Sequence, residues 1–286
     1  DAIHTQLQSD NHLFGRYGVT MFAISGIDIA LWDIAGKAAG LPLHQMLGGK
    51  VRDGLPAYAS LFRYGDPEQV AAVTKKAVDE GYTHIKLHET GIAEVESCRR
   101  TGGDDMAIML DVNCAWDFDG ALDMASQLAD FDLYWFEEPV FPPEDFKALA
   151  KLKDQGGIPI AAGENACTAF EFNQMFDAGA VTYAQPSVTK VGGISQFQKI
   201  LASAKSAGVK VMPHSPYFGP GFVATLHLAA AMEDESLIEY FYLQPEAFPM
   251  GKWSQPEGDV FKVPDGPGLG CDPAPDVMRD YAVSGN

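Results

Sequence analysis

Short apolar runs alternate with amphipathic stretches along most of the chain, and that alternation predicts a repeated strand–helix unit. Runs at 57–61, 84–88, 107–111, 134–137, 158–163, 181–185, 210–214 and 237–239 read as buried strands. Between them, 67–80, 120–129, 144–153 and 194–207 read as helices. Asp66 before Pro67 suits an N-cap and first helical position, and Gly81 and Gly208 fall where helix C-caps are expected. Eight strands with crossover helices and no break in rhythm predict an α/β fold, a TIM-like (β/α)8-type parallel barrel over 51–244. A doubly wound open sheet is the alternative, but no Gly-rich dinucleotide fingerprint follows the first strand.

Residues 1–50 form an N-terminal segment and a helix leading into the barrel. Its first twenty residues are polar and irregular, and 21–38 form the helix, with Phe22, Ile24, Ile27, Leu31 and Ile34 on a broad apolar face. Gly40, Pro42 and the Gly48-Gly49 pair end it. From Pro245 the rhythm is lost. The tail, 245–286, is rich in Pro, Gly and Asp, holds one short strand at 260–263, and is expected to wrap back over the barrel.

Composition narrows the function. The 286 residues suffice for one barrel, and 47% hydrophobic with 21% charged residues is ordinary globular usage. No run of eighteen consecutive apolar residues is present, and no basic region precedes an apolar core at the start. No membrane partner and a cytoplasmic location are therefore expected. A net charge of −19 argues against nucleic acid, and an anionic substrate needs a metal and local basic side chains to reverse the field. Cys98, Cys114, Cys167 and Cys271 are scattered and form no CxxC pair, which reads as reduced, small packing residues.

Three acidic segments carry the chemistry: Leu110-Asp111-Val112-Asn113, Trp135-Phe136-Glu137-Glu138-Pro139 and Ala162-Gly163-Glu164-Asn165. Each puts a carboxylate at the end of a predicted strand, and Asp111, Glu137 and Glu164 lie 26 and 27 residues apart, the length of one strand–helix unit. A single acidic strand end is usually just exposed; three in successive units aim at one point. Three oxygen ligands with room for water and substrate suit one magnesium ion per chain. Two further strand ends add basic groups. Lys86 and His88, two apart on a strand, share a face. Alone, Lys86 reads as a solvated lysine; beside a metal site it reads, with His88, as acid–base machinery. His214, in Met212-Pro213-His214-Ser215-Pro216, is a core histidine on its own and an acid or base opposite a metal. Glu239 ends the eighth strand over the same mouth.

Together these features resemble the enolase superfamily, in its mandelate racemase-like branch. The resemblance also rests on Ser25-Gly26-Ile27-Asp28-Ile29-Ala30-Leu31-Trp32-Asp33-Ile34-Ala35-Gly36-Lys37, on Lys190-Val191-Gly192-Gly193 and on Pro264-Asp265-Gly266-Pro267-Gly268-Leu269-Gly270. It implies a modified (β/α)7β barrel, and magnesium held by Asp111, Glu137 and Glu164 that grips a substrate carboxylate. A lysine or histidine then removes the α-proton, and the metal stabilises the enediolate. It places Lys86, His88 and His214 at acid–base positions and Asn113 and Glu239 among the substrate-binding residues. Such relatives carry an N-terminal capping domain, which this chain starts too late to include, and the tail is expected to return toward it. Tyr217 and Phe218 in the loop after the seventh strand offer a wall for the substrate.

Two departures from the family pattern bear on the reaction. A histidine, His88, stands where a second lysine is usual, and imidazole is a weaker base with a shorter reach. Ser187 stands where an aspartate usually supports the catalytic histidine. Serine can orient His214 from the neighbouring strand end but supplies no charge. This favours dehydration of an acid sugar or related hydroxy acid over two-base racemisation. A racemase or epimerase of a hydroxy acid or amino-acid derivative is the enzyme alternative. A non-catalytic barrel that binds a metal or acid, or an inactive fragment, is the alternative from another class. A small carboxylate substrate and a homo-oligomeric assembly complete the expectation.

Overall fold

The computed structural model describes residues 2–283. Two helices, α1 (Ala2–Asp10) and α2 (Gly18–Ala39), and the short α3 (Leu43–Met46) precede the barrel. Strand and helix then alternate as β1 (Gly54–Ser60), α4 (Pro67–Asp79), β2 (His84–Leu87), α5 (Ile92–Gly102), β3 (Ala107–Asp111), α6 (Phe118–Leu128), β4 (Leu133–Glu137) and α7 (Phe146–Gly156). They continue as β5 (Ile160–Ala162), α8 (Ala169–Asp177), β6 (Tyr183–Ala184), α9 (Ile194–Ala207), β7 (Lys210–Val211), α10 (Pro220–Ala231) and β8 (Ile238–Phe241). The tail adds β9 (Val260–Lys262) and α11 (Pro275–Asp280).

All eight predicted barrel strands form, each parallel to its neighbours, in the order β7-β6-β5-β4-β3-β2-β1-β8. The expected closure is made differently at one seam. No backbone ladder joins β7 to β8 among the described residues. There the backbone N–H of Leu237 donates to Met212 Sδ at 3.4 Å, and Ser215 Oγ donates to the Glu239 carbonyl at 3.2 Å. Two-residue strands offer few ladder bonds, so side chains close the curl. The helix signals hold too: Asp66 accepts from the Glu68 backbone at 2.9 Å, and Gly208, with φ +69°, caps α9.

Side-chain alternation builds the lumen in layers. Tyr58, Met109, Trp135, Ala161, Tyr183, Met212 and Leu237 pack together inside the barrel. A step further toward the strand ends the lumen turns polar: Ser60, Lys86, Asp111, Glu137, Gln185 and Glu239 are all buried there. The outward faces of the strands pack with the ring of helices in one large apolar core.

Helix α2 is long and apolar enough to cross a membrane by length and composition. Its polar residues tie it to the barrel instead. Asp28 accepts from the Ser195 backbone (2.9 Å) and hydroxyl (2.7 Å), and Ser25 Oγ accepts from the Gly192 backbone (2.8 Å). Gly193, with φ +81°, permits this approach, because a Cβ there would lie 2.5 Å from the Asp28 side chain. The tail packs on the barrel and also on this leading segment. Its β9 pairs antiparallel with the start of β1, the Leu269 backbone donates to Asp33 at 2.8 Å, and Asp265 contacts His44 and Lys50 at 3.1 and 3.0 Å.

Candidate metal centre and active site

Asp111 and Glu137 are register partners at the last positions of β3 and β4, two residues on from the lumen-facing Met109 and Trp135. Both carboxylates therefore enter the lumen. Backbone turns end each ligand strand: Asn113, Cys114 and Glu138 adopt left-handed conformations, and Gly163 has φ +134°. The turn at Glu138 sends its side chain away from that of Glu137, as alternation predicts. Glu138 Oε1 accepts from the Gly163 backbone at 2.9 Å and so pins the end of β5. A side chain at Gly163 would meet Phe172 at 2.8 Å. Glu164 follows at once. One oxygen from each of Asp111, Glu137 and Glu164 lies within 4.8 Å of the others.

The remaining contacts show what this group lacks. Lys86 is fully buried, with Nζ 2.9 Å from Glu137 Oε1, 2.8 Å from Glu239 Oε1 and 3.6 Å from Asp111 Oδ2. Burial works against its charge, but Glu137 and Glu239 outweigh it and hold the ammonium protonated well above the ordinary lysine range. Glu239 is buried as well, and Lys86 nonetheless holds it down to about 2. Glu137 moves the other way, pushed well above the usual carboxylate range by burial and by Asp111, Glu239 and Glu164 around it. One ammonium thus serves several carboxylates, and the cluster is short of positive charge. Asp111 Oδ2 is buried and has no well-aligned donor; His88 Nε2 at 3.2 Å and Lys86 Nζ at 3.6 Å are the cationic groups beside it. An oxygen-only set with surplus negative charge and an orphaned buried oxygen fits a hard divalent cation.

His88 reaches the same cluster. Its Nδ1 donates to the Leu61 carbonyl, which leaves Nε2 facing Asp111 Oδ2 at 3.2 Å. His214 lies three residues beyond the short β7, and its Nε2 sits 2.7 Å from Glu164 Oε2. Despite its burial, Glu164 is held down to about 2 by that histidine. His88 and His214 thus meet the three-carboxylate group from different strands, β2 and β7. Asn113 is exposed at the rim, and its backbone donates to Asp111 Oδ1 at 2.9 Å.

Glu239 is largely engaged by the protein: Oε1 accepts from Ser60 (2.9 Å) and Lys86, and Oε2 from the Ser215 backbone (3.0 Å). Two other placements differ from expectation. Ser187 makes no hydrogen bond to His214. Its hydroxyl pairs with Thr189 Oγ1 (3.1 Å) and Tyr217 OH (3.2 Å), and His214 Nδ1 has no partner. Tyr217 turns its hydroxyl inward to the His214 carbonyl at 3.1 Å, so this polar end braces the loop. Local hydroxyl partners two and thirty residues away win over the ring of His214.

Other site groups escaped the sequence reading. Arg63, beyond β1, donates from Nε to the His88 carbonyl at 2.6 Å and from Nη2 to Asn113 Oδ1 at 3.3 Å. Lys190 donates to the Glu164 carbonyl at 3.1 Å. Gln185 is buried with neither side-chain amide atom bonded. Position on a strand end was the available signal for Arg63, but an exposed arginine reads equally well as a solvated one.

A parallel barrel with three convergent carboxylates and basic groups at its C-terminal mouth defines a metal-dependent enzyme class. Residues 69–277 match the enolase C-terminal domain-like family, and residues 4–48 match the mandelate racemase/muconate lactonizing enzyme N-terminal domain. The chain belongs to the enolase superfamily, in its mandelate racemase/muconate lactonizing enzyme family. The second match corrects the expectation that the capping domain is missing: part of it is here, as the segment that docks through Asp28 and receives the tail. The chain is 32% identical over 288 residues to D-galactarolactone cycloisomerase of Agrobacterium fabrum, covering 94% of this chain and 76% of that protein. It is 32% identical over 279 residues to arabinonate dehydratase of Saccharolobus solfataricus, covering 94% and 74%. A Streptomyces coelicolor racemase crystallised with bound magnesium superposes with a TM-score of 0.85 at 28% identity, covering 99% of this chain and 78% of that one.

Proposed function

We propose that this chain removes the proton α to the carboxylate of an acid sugar and expels the β-hydroxyl, giving a 2-keto acid. The observation that carries this is the convergence of Asp111, Glu137 and Glu164 with two histidines from different strands. Those three carboxylates would hold one magnesium ion, which when bound supplies the positive charge that neutralises the substrate carboxylate and the charge left by proton removal. The similarity to an arabinonate dehydratase supports elimination.

His88 and His214 divide the proton transfers in this reading. His88 is the better candidate for the base. Its Nδ1 is committed to the Leu61 carbonyl, so Nε2, which faces Asp111 Oδ2 at 3.2 Å, is the ring nitrogen that would exchange a proton at the site. Lys86 is a poor base, because Glu137 and Glu239 fix its proton; it acts as a charge that positions those carboxylates. His214 then protonates the departing hydroxyl. Ser187 no longer argues for elimination, since it does not touch His214.

The test incubates the full chain with magnesium and a library of acid sugars in deuterated water. Formation of a 2-keto acid is the expected result. Deuterium wash-in with inverted product and no keto acid would assign racemisation instead. No exchange and no product, with magnesium affinity retained, would assign a binding role.

A further inference from the structure

Among the described residues Arg63 is the one arginine bonded to residues of the candidate site, at its exposed rim, and its surroundings are specific. Nε is fixed on the His88 carbonyl at 2.6 Å and Nη2 on Asn113 Oδ1 at 3.3 Å. Each of these residues also contacts Asp111: His88 through Nε2 at 3.2 Å and Asn113 through its backbone N–H at 2.9 Å. The guanidinium is thereby held across the ends of β2 and β3, one residue removed from the carboxylate cluster. It makes no ion pair with any described residue, and Nη1 makes no hydrogen bond among them, in a chain whose net charge is −19. A guanidinium held in place by two of its nitrogens keeps a planar edge for a carboxylate with little further loss of side-chain freedom.

We infer that Arg63 receives the second carboxylate of a dicarboxylic sugar acid whose first carboxylate lies at the metal centre. This rests on the function proposed above and makes the substrate class a diacid. The charges agree. Lys86 is absorbed by Glu137 and Glu239, and Lys190 stands across the mouth on the Glu164 carbonyl, so Arg63 is the cation that offers a planar two-donor edge at the β2–β3 rim. A monoacid ending in a hydroxymethyl group would leave that cation without a counter-charge.

Binding separates this role from a purely structural one. Matched pairs of hexaric and hexonic acids, sharing configuration at the inner carbons, are titrated calorimetrically into the magnesium-loaded full chain. The wild type is expected to bind at least one diacid about tenfold or more tighter than its monoacid partner, the worth of a charge-assisted hydrogen bond. Arg63→Met should erase that preference and leave the monoacid dissociation constant in place, while Arg63→Lys restores part of it. Equal weakening of both acids in Arg63→Met would make Arg63 a clamp on His88 and Asn113 and overturn the inference. So would monoacid preference in every pair, or no binding of any diacid. The function proposed above fails separately. Arg63-dependent diacid binding without keto acid or proton exchange would sink that reading and keep this one; turnover of monoacids alone would do the reverse.

Discussion

The two sides of the barrel mouth handle buried polarity in opposite ways. On the side built by β2 to β4 and β8, the carboxylates meet a cation or a donor: Lys86 joins Glu137 and Glu239, and Trp135 Nε1 donates to Glu137 Oε2 at 2.8 Å. On the side built by β6 and β7, polar atoms are stranded. Gln185 has two unpartnered amide atoms and His214 one unpartnered nitrogen, while Ser187 and Tyr217 spend their hydroxyls on each other. The paired side is fixed by the fold; it leaves Tyr58 Oη unpartnered deeper in the lumen and Asp111 Oδ2 without an aligned donor at the mouth, where a cation belongs. The stranded side is left open to whatever enters the site.

The largest expected effect tests the paired side directly. Asp111→Asn or Glu137→Gln should abolish magnesium binding and lower turnover by about a thousandfold or more, because several kcal/mol of transition-state charge stabilisation go with the ion. Calorimetric titration with magnesium, run beside the activity assay, checks both. Retained magnesium affinity in both variants would remove the carboxylates from the metal centre.

Lys86→Met comes next. It leaves Glu137 and Glu239 buried without their cation, and breaking a buried pair from one side costs about 3–5 kcal/mol. Denaturant unfolding would measure the loss. The same variant has a pH signature. Glu239 is held down to about 2, below its ordinary value of 4.5, so its contribution is complete above pH 4.5 and fades as pH falls toward 2. Without Lys86 that acid-side fall should flatten; an unchanged acid limb would mean that Lys86 does not hold Glu239.

These differences also explain what the sequence made legible. Asp111, Glu137 and Glu164 could be read because each ends an apolar run at the spacing of one barrel unit, and strand alternation decides where such side chains point. His214 was placed at the site by the same strand-end rule, but the partners of Ser187 could not be read. Ser187 follows a strand of two residues, so loop contacts with Thr189 and Tyr217 set its direction, and no period reports those contacts. The N-terminal segment was opaque for another reason. Helix α2 is apolar on most sides, and the face that periodicity selected was mostly the wrong one: Phe22, Ile27 and Ile34 are exposed, while Met21, Ile24, Ser25, Asp28 and Ile29 are buried, with Ser25, Asp28 and the bare Gly193 fixing the docking. Lys86 was placed beside the carboxylates, but its pairing with Glu137 and Glu239, from strands not adjacent to its own, had no signal in the spacing.

Ser187→Ala probes the stranded side at a smaller scale. It removes a hydroxyl shared with Thr189 and Tyr217, and should cost about 1 kcal/mol, the net worth of one buried hydrogen bond. Because the hydroxyl does not reach His214, the ratio of keto acid formed to deuterium exchanged should stay as in the wild type. A changed ratio would restore Ser187 as a support for the histidine and weaken the contrast between the two sides.

The smallest effect decides the contrast most sharply. Gln185 is fully buried, lies between the Tyr183 and Ser187 positions of one strand end, and shares no hydrogen bond through its amide. A buried amide without partners is a burden on the folded state, whereas an apolar side chain of similar size is not. Gln185→Leu should therefore leave the unfolding free energy unchanged or raise it by up to about 1 kcal/mol. If the amide serves the substrate, the Michaelis constant should rise while stability holds, which a packing role would not produce. Should Gln185→Leu instead destabilise the protein as much as Lys86→Met, the amide must be paired through ordered water. The β6–β7 side would then be a closed network like its counterpart, and the proposed division of the mouth into a fixed half and an open half would fall.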